Sequence, residues 1–195
     1  MDWSFTDPLD AWAVWYAEAV AAEPDVPDAM QIATVDIDGA PRVRTVLSKQ
    51  IDEAGVVFYT NLKSRKGQDL SGDARVSAVW HWKSLERQVH VDGRVRPVSA
   101  KEADSYFASR GRGSQIGAWA SQQSQSVDTR EALQQRVAEV EARFAGGPVV
   151  RPPHWSGFRI VPHRWEFWQG RPDRLHDRFE YVPDGAGWQM RRLQP

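Results

Sequence analysis

A polar run that follows an apolar stretch has the residue types of a phosphate-binding turn. Ser64, Arg65 and Lys66 come after the β-rich run 55–60 and stand where a short helix is expected to begin. Backbone N–H groups at a helix start, reinforced by two cations and a hydroxyl, suit a phosphate monoester. A basic surface turn would have the same composition, so this run alone leaves both interpretations open.

A second candidate anion site combines a phenol, a guanidinium and a hydroxyl. Ser99 and Glu102 form a capping-box pattern that predicts a helix. Tyr106 and Arg110, four residues apart, would share a face of that helix, and Ser114 follows at its end. The three polar groups could together hold a phosphate.

A third cluster lies near the C-terminus. If the segment 174–178 is extended, Arg174, His176 and Arg178 lie on one face, where they could hold an anion beside a reacting group. A solvated edge strand with local ion pairs explains the same residues equally well. Trp168 belongs to an alternating aromatic strand pattern and could lie against a flat ring, although packing in a core or interface is the commoner role of tryptophan.

Several other chemistries are excluded by residue content. The chain has no cysteine, which excludes disulfides and thiolate chemistry. Its five histidines lack metal-binding spacing and no Gly-x-Ser-x-Gly elbow is present, so neither a metal site nor serine hydrolysis is expected. The segment 111–113 (GRG) is too short for a phosphate loop and is interpreted as a flexible turn. Because no signal peptide and no apolar stretch of about 20 residues is present, a cytoplasmic protein without membrane insertion is expected.

Charge is distributed unevenly along the chain. The formal net charge is −1, but residues 1–41 carry nine acidic and no basic residues, which leaves 25 basic and 17 acidic residues in 42–195. The basic excess could serve a small anionic ligand or nucleic acid, and an unevenly charged solvated surface is the alternative. The acidic N-terminal part and the missing RNA-binding signature argue against nucleic acid.

The predicted elements have the order β-rich, helical, β-rich. Asp38-Gly39 is a strong hairpin turn signal, and Asp128 with Glu131 resembles a second capping box. The first helix, capped by Asp7 and ended by Pro24 and Pro27, is predicted to have an apolar face of Leu9, Trp12, Tyr16 and Val20. Strands are predicted at 30–37, 42–49, 55–60, 75–82, 87–98, 156–168, 178–182 and 187–193. This order favours one α+β domain built around an antiparallel barrel.

Five strings in a fixed order resemble the pyridoxamine 5'-phosphate oxidase family. They are FYTNLKSRK, LERQV, SQIGAW, FWQG and RLHDRF, and the match runs from about Asp7 to Pro195. The resemblance implies an FMN-binding split β-barrel, antiparallel and Greek-key-like, with flanking helices. Ser48 departs from the family pattern because relatives usually have an apolar residue there, and Gly111 departs because a proline commonly follows the arginine.

The resemblance also implies a domain plan and a set of site residues. One domain over 1–195 would comprise a helical segment 1–28, barrel strands 30–98, a helical segment 99–147 and C-terminal strands 156–195. FMN would be bound by Arg44, Tyr59, Thr60, Ser64, Arg65, Lys66, Gln88, Gln123 and Ser124, and by Trp168 and Arg178 from the partner subunit. The substrate phosphate would be bound by Lys49, Tyr106, Arg110 and Ser114. The catalytic residues Arg174 and His176 would lie over the substrate's pyridine ring.

The implied activity is oxidation of pyridoxamine or pyridoxine 5'-phosphate to pyridoxal 5'-phosphate. Dioxygen would be the acceptor and hydrogen peroxide the second product, in vitamin B6 biosynthesis and salvage. The implied assembly is a homodimer with FMN at the subunit interface. Two alternatives share the flavin site: an oxidase of another substrate, such as a phenazine precursor, and a non-catalytic flavin-binding module.

Overall fold

Eight strands and five α-helices form the architecture of the described part of the chain. The computed structural model describes residues 3–23 and 25–195. The helices are α1 (Pro8–Ala22), α2 (Arg65–Gly72), α3 (Ala100–Ser109), α4 (Arg112–Ala120) and α5 (Arg130–Arg143). The strands are β1 (Ala29–Val35), β2 (Pro41–Asp52), β3 (Gly55–Asn61), β4 (Arg75–Trp82), β5 (Arg87–Pro97), β6 (Trp155–Gln169), β7 (Asp177–Asp184) and β8 (Gly187–Leu193).

Six of the strands close an antiparallel barrel. The sheet order is β3-β2-β1-β4-β5-β6-β7-β8, and β3 also pairs with β6, which closes the ring between the first and sixth strands of that order. The long strand β6 pairs with β3 through its first half and with β7 through its second half. Strands β7 and β8 therefore extend outward from the barrel as an additional hairpin, and the predicted α+β barrel is confirmed.

The predicted hairpin at Asp38-Gly39 is confirmed. Strands β1 and β2 pair antiparallel from Val35 opposite Pro41 onward. Gly39 has a φ of +85°, the left-handed region that glycine adopts without strain. The Asp36 carboxylate accepts the backbone N–H groups of residues 38 and 40, which fixes the turn locally.

The buried face of α1 differs from the predicted one. Trp12 is buried as predicted, but Val20 is 44% exposed whereas Trp15 is 2% exposed. Trp15 packs edge-on against Trp3 and Phe167, with ring centroids 5.5 and 5.4 Å away. Because a tryptophan buries more apolar area than a valine, this aromatic cluster fixes the rotation of α1 about its axis.

Three helix boundaries also require correction or comment. Helix α5 begins after Thr129, whose hydroxyl accepts the Ala132 N–H at 3.0 Å, and not after Asp128. Helix α4 was not predicted: the GRG segment starts it, with Gly111 at the N-cap. The predicted stop at Pro24 lies outside the described residues.

No helix in the described part of the chain is long and apolar enough to span a membrane.

Candidate active site

The turn between β3 and α2 builds the first anion-binding feature. Asn61 ends β3, and its side-chain oxygen accepts the Lys63 N–H at 2.8 Å, which turns the chain. Ser64 then caps α2 by accepting the Gly67 N–H at 3.3 Å. A Cβ at Gly67 would meet the Leu62 carbonyl oxygen at 2.3 Å, so only glycine allows this close approach. The helix start predicted from Ser64 to Lys66 is confirmed.

Lys66 is a buried cation at this turn. It is 7% exposed, and its Nζ hydrogen-bonds to the hydroxyls of Thr60 (3.3 Å) and Ser64 (3.2 Å). Burial, followed by the positive charge of Arg44, lowers the pKa of Lys66 below its ordinary value. Hydroxyls do not neutralise an ammonium group, so a bound anion would stabilise the charged form of Lys66.

The second anion-binding feature lies between α3 and α4. Helix α3 ends one residue before Arg110, which is its C-cap, and Ser114 lies in the first turn of the separate helix α4. Arg110 therefore lies at the end of the predicted helix, and Ser114 follows that end as predicted, but in a second helix that was not predicted. Arg110 stacks over Trp155, with its guanidinium carbon 4.8 Å from the ring centroid. Burial lowers the pKa of Arg110.

Arg110 carries an unpaired buried donor. In residues 3–23 and 25–195, its NH1 atom is the one buried side-chain nitrogen or oxygen without a hydrogen-bond partner. Such a group costs free energy unless something accepts its protons. An anionic ligand in the adjoining cavity would remove that cost.

Both features line one cavity of about 460 Å³. Its wall includes aromatic rings, because Tyr59 stacks on Tyr106 (centroids 4.0 Å apart) and on Trp155 (5.3 Å). The predicted site residues that line it are Lys49, Tyr59, Thr60, Lys66, Tyr106, Arg110, Ser114 and Gln123. Two sets of cationic and hydroxyl groups and flat aromatic surfaces thus share one space, which has the chemistry to suit a phosphorylated ring system or two of them.

Four predicted flavin ligands lie beside this cavity but do not line it. Arg44 is ion-paired with Asp69 at 3.3 Å and donates to the Thr34 hydroxyl at 2.6 Å. Ser64 supports Lys66 as described above. The Arg65 side chain is exposed, and its backbone N–H donates to the Ser124 hydroxyl at 3.3 Å.

A second cavity, of about 430 Å³, gathers the other predicted flavin contacts. Gln88, Trp168 and Arg178 line it from the adjacent strands β5, β6 and β7, where Gln88 pairs with Trp168 and Trp168 pairs with Arg178. It shares no lining residue with the first cavity within the described ranges. Gln88 therefore lies in the same cavity as Trp168 and Arg178, the two residues that are expected to reach a partner subunit's cofactor.

Glu166, which sequence reasoning missed, holds Arg178 in place. Its carboxylate accepts from Arg178 Nε at 2.7 Å and also contacts Arg164. Burial alone would raise its pKa, but the hydrogen bond and charge of Arg178, with the charge of Arg164, lower it below the ordinary value. The Glu166 carboxylate is therefore charged at neutral pH and directs the Arg178 guanidinium toward the second cavity.

Removing this charge is expected to weaken flavin binding. We expect Glu166→Gln to raise the dissociation constant of FMN about tenfold, because a charge-assisted hydrogen bond that orients Arg178 is lost. Flavin fluorescence titration measures this. The matched control is Glu180→Gln, which removes a carboxylate paired with Arg164 and Arg191 but not with Arg178. Equal weakening in both variants would contradict a specific role for Glu166.

The extended arrangement proposed for 174–178 is wrong at its start. Asp173 and Arg174 have φ values of +57° and +63° in a 3-10 turn, and β7 begins only at residue 177. Arg174 is exposed, whereas His176 lies in a third cavity with Trp168, ring centroids 4.6 Å apart. The His176 Nδ1 atom accepts the Arg171 backbone N–H at 3.1 Å. In the neutral ring the proton is therefore on Nε2.

The closed barrel, its additional hairpin and the cavity lined by cations define a class of protein, the split barrel. The family model described as pyridoxamine 5'-phosphate oxidase matches residues 16–144, and that of the pyridoxine 5'-phosphate oxidase C-terminal dimerisation region matches 155–195. The chain therefore belongs to the pyridoxamine 5'-phosphate oxidase family, whose members are oxidoreductases. Membership implies a flavin site.

Individual relatives agree with this assignment over nearly the whole chain. A pyridoxine/pyridoxamine 5'-phosphate oxidase of Bordetella petrii is 52% identical and covers 100% of this chain and 92% of its own. One from Gluconobacter oxydans is 50% identical over 97% of this chain and 94% of its own. The crystal structure of PhzG from Burkholderia lata in complex with tetrahydrophenazine-1-carboxylic acid aligns with a TM-score of 0.91 at 34% identity, over 98% of this chain and 94% of that one.

Proposed function

We propose that the protein uses FMN to oxidise pyridoxamine or pyridoxine 5'-phosphate to pyridoxal 5'-phosphate in vitamin B6 biosynthesis and salvage. Dioxygen is the acceptor and hydrogen peroxide the second product, and with the amine substrate water is also consumed and ammonia released. The observation that carries this proposal is the single cavity with two phosphate-binding features, one around Lys66 and one around Arg110. A cofactor phosphate and a substrate phosphate would each have a matching set of ligands.

The residues around Lys66 fit the FMN phosphate. The Lys66 ammonium and the α2 N-terminus supply donors. The Thr60 and Ser64 hydroxyls accept from Lys66 and hold it at the turn, while Thr60 donates to Gln123 at 3.4 Å and Ser64 to the Asn61 carbonyl oxygen at 2.6 Å. Arg65 adds a cation at the α2 start, and Arg44 and Ser124 adjoin the turn. Bound FMN would take up a hydride from the substrate and pass two electrons to dioxygen.

The residues around Arg110 fit the substrate phosphate. Lys49, Arg110, Tyr106 and Ser114 present two cations and two hydroxyls to the cavity. Anchoring the phosphate there restricts the rest of the substrate to a small set of orientations, which is the main contribution of these side chains to the rate. We assign no obligatory general base.

The remaining contacts are proposed to come across a homodimer interface. Gln88, Trp168 and Arg178 line a cavity apart from the phosphate ligands, on strands that belong to the matched dimerisation region or pair with it. In the dimer, Trp168 and Arg178 would approach the FMN bound by the other subunit. His176 would present Nε2–H to the pyridine ring, with Arg174 beside it. The proposal includes one domain over residues 1–195, since a single sheet runs through all eight strands.

A second candidate is oxidation of a phenazine precursor. The likeness to the PhzG structure supports it. That ligand is a carboxylic acid without a phosphate, so it would leave part of the cationic set around Arg110 without a matching group. The retained phosphate ligands therefore favour the B6 vitamer.

Anaerobic reduction tests the proposed function directly. FMN-loaded protein is mixed with pyridoxamine 5'-phosphate and the visible absorbance of oxidised flavin is followed. We expect rapid bleaching, recovery of the absorbance on admitting air, and formation of pyridoxal 5'-phosphate. Flavin that stays oxidised with both phosphorylated vitamers, but bleaches with tetrahydrophenazine-1-carboxylic acid, would overturn the proposal in favour of the second candidate.

A further inference from the structure

Lys49 differs from Lys66 and Arg110, the other cations that line the first cavity, because a carboxylate already neutralises it. Its Nζ lies 2.5 Å from the Asp28 Oδ2 atom, and the two side chains are 26% and 18% exposed. Arg110 instead has an unpaired NH1, and Lys66 bonds to hydroxyls. A phosphate that binds Lys49 must share this ammonium with Asp28 or displace Asp28 from it.

A β-bulge in strand β2 directs the Lys49 side chain toward Asp28. Strand β2 pairs with β3 through Ser48 opposite Phe58 and Gln50 opposite Val57, so Lys49 is the extra residue of a β-bulge. A bulge redirects a side chain, and here the bulged residue reaches both the cavity and Asp28.

Ser48 anchors the backbone of Asp28. The Asp28 carbonyl oxygen accepts the Ser48 N–H at 2.9 Å and the Ser48 hydroxyl at 3.1 Å. The same hydroxyl oxygen accepts the Nε1–H of the fully buried Trp80 at 3.2 Å. The serine that departs from the family pattern therefore fixes the residue that pairs with Lys49.

We propose that Asp28 is a positioning residue that competes with the substrate phosphate for Lys49 and so weakens phosphate binding. The inference rests on the proposed role of Lys49 in holding that phosphate. Two negative groups around one ammonium repel each other in a partly buried site, where water screens them incompletely. Because substrate and product carry the same phosphate, the competition also accelerates release of the phosphorylated product.

The test measures affinity for a vitamer that cannot react. 4-Deoxypyridoxine 5'-phosphate lacks the oxidisable group, and its binding to the FMN-loaded protein is followed by calorimetry. We expect Asp28→Asn to tighten binding about fivefold, the size of effect that a partly exposed ion pair supports. The KM for pyridoxamine 5'-phosphate should fall while kcat does not rise. Ser48→Ala, which loosens the anchor, should shift affinity in the same direction by less.

Two comparisons isolate the competition at Lys49. Asp25→Asn removes a negative charge from an exposed residue three positions earlier in the chain and should leave affinity unchanged. In a Lys49→Met background, Asp28→Asn should no longer tighten binding, because its effect acts through the ammonium. Unchanged or weaker binding in Asp28→Asn, or tightening that persists without Lys49, would overturn the inference.

Failure of the inference can be told from failure of the proposed function. Titration with inorganic phosphate reports on the anion site without any B6 ring, and Asp28→Asn should tighten this binding as well. If wild-type protein binds phosphate but no B6 vitamer reduces its flavin, the proposed function fails while Asp28 can still be tested. If the vitamers react but Asp28→Asn has wild-type affinity for both probes, the inference alone fails.

Discussion

Replacing Arg110 with methionine is expected to lower kcat/KM for pyridoxamine 5'-phosphate about 100-fold while FMN remains bound. Truncating one partner of a buried, hydrogen-bonded charge pair costs about 2–5 kcal/mol, and each 1.4 kcal/mol is a factor of ten. The Arg110 NH1 atom has no protein acceptor, so its interaction with a ligand is the one that would be lost. Methionine retains apolar contact with the Trp155 ring, over which Arg110 stacks.

Steady-state kinetics with phosphorylated and unphosphorylated substrate measure this effect. The loss should be confined to the phosphorylated substrate, because the guanidinium is assigned to the phosphate. Arg110→Lys should recover part of the activity, since lysine keeps the charge without the planar fork. The control is Arg112→Met, at the first residue of α4. The Arg112 guanidinium donates to the carbonyl oxygens of Phe144 and Gly147 at the end of α5, and Arg112 does not line the cavity. An equal loss with pyridoxamine itself would contradict the assignment.

Much of the barrel could be predicted from the sequence because its signals are local. The Asp38-Gly39 turn needs a residue with positive φ, and the glycine that supplies it is part of the turn sequence itself. The strands are runs of β-branched and aromatic residues between turn residues. The capping box of Ser99 and Glu102 is likewise complete within four residues, and both of its hydrogen bonds form. Such features need no knowledge of the rest of the chain.

The errors occurred where distant residues or weak local signals decide the structure. The rotation of α1 depends on the contact of Trp15 with Phe167, which is far from the helix in sequence, and with Trp3, which precedes the helix outside its periodic pattern. The N-cap residue of α4 is Gly111, which has no side chain to cap the helix, so the GRG segment contains no recognisable helix-start signal. Arg174 has a left-handed backbone conformation, which ends the alternation of side chains expected for an extended segment 174–178. Non-glycine residues adopt this conformation rarely, so the sequence did not indicate it.

The candidate site shows the same division. The hydroxyl and cations of the β3–α2 turn are consecutive in sequence, so their common position could be anticipated. The Asp28–Lys49 and Glu166–Arg178 pairs could not, because the first depends on the pairing of β1 with β2 and on the β2 bulge at Lys49, and the second on the pairing of β6 with β7. Side-chain partners across strands follow from pairing, which spacing along the chain does not specify.

Replacing Lys66 with methionine is expected to raise the dissociation constant of FMN about 100-fold. The ammonium supplies a buried positive charge at the start of α2, and a charge-assisted contact to phosphate in such a place contributes several kcal/mol when its partner is removed. The measurement is fluorescence titration of the apoprotein with FMN. Riboflavin, which lacks the phosphate, should bind wild type and variant with nearly equal affinity.

The thermal stability of the apoprotein separates this effect from damage to the fold. Burial lowers the pKa of Lys66, which means that folding disfavours its charged form when no anion is bound. The penalty is full below the lowered pKa of folded Lys66, shrinks as the pH rises from that pKa toward the ordinary lysine pKa, and is absent above the ordinary value. At neutral pH, Lys66→Met should therefore leave the melting temperature of the apoprotein unchanged or higher, and abolish most of the increase that FMN causes in wild type. A large drop in the apoprotein's melting temperature would show that Lys66 supports the fold itself, whereas normal FMN affinity in a stable variant would remove Lys66 from the cofactor site.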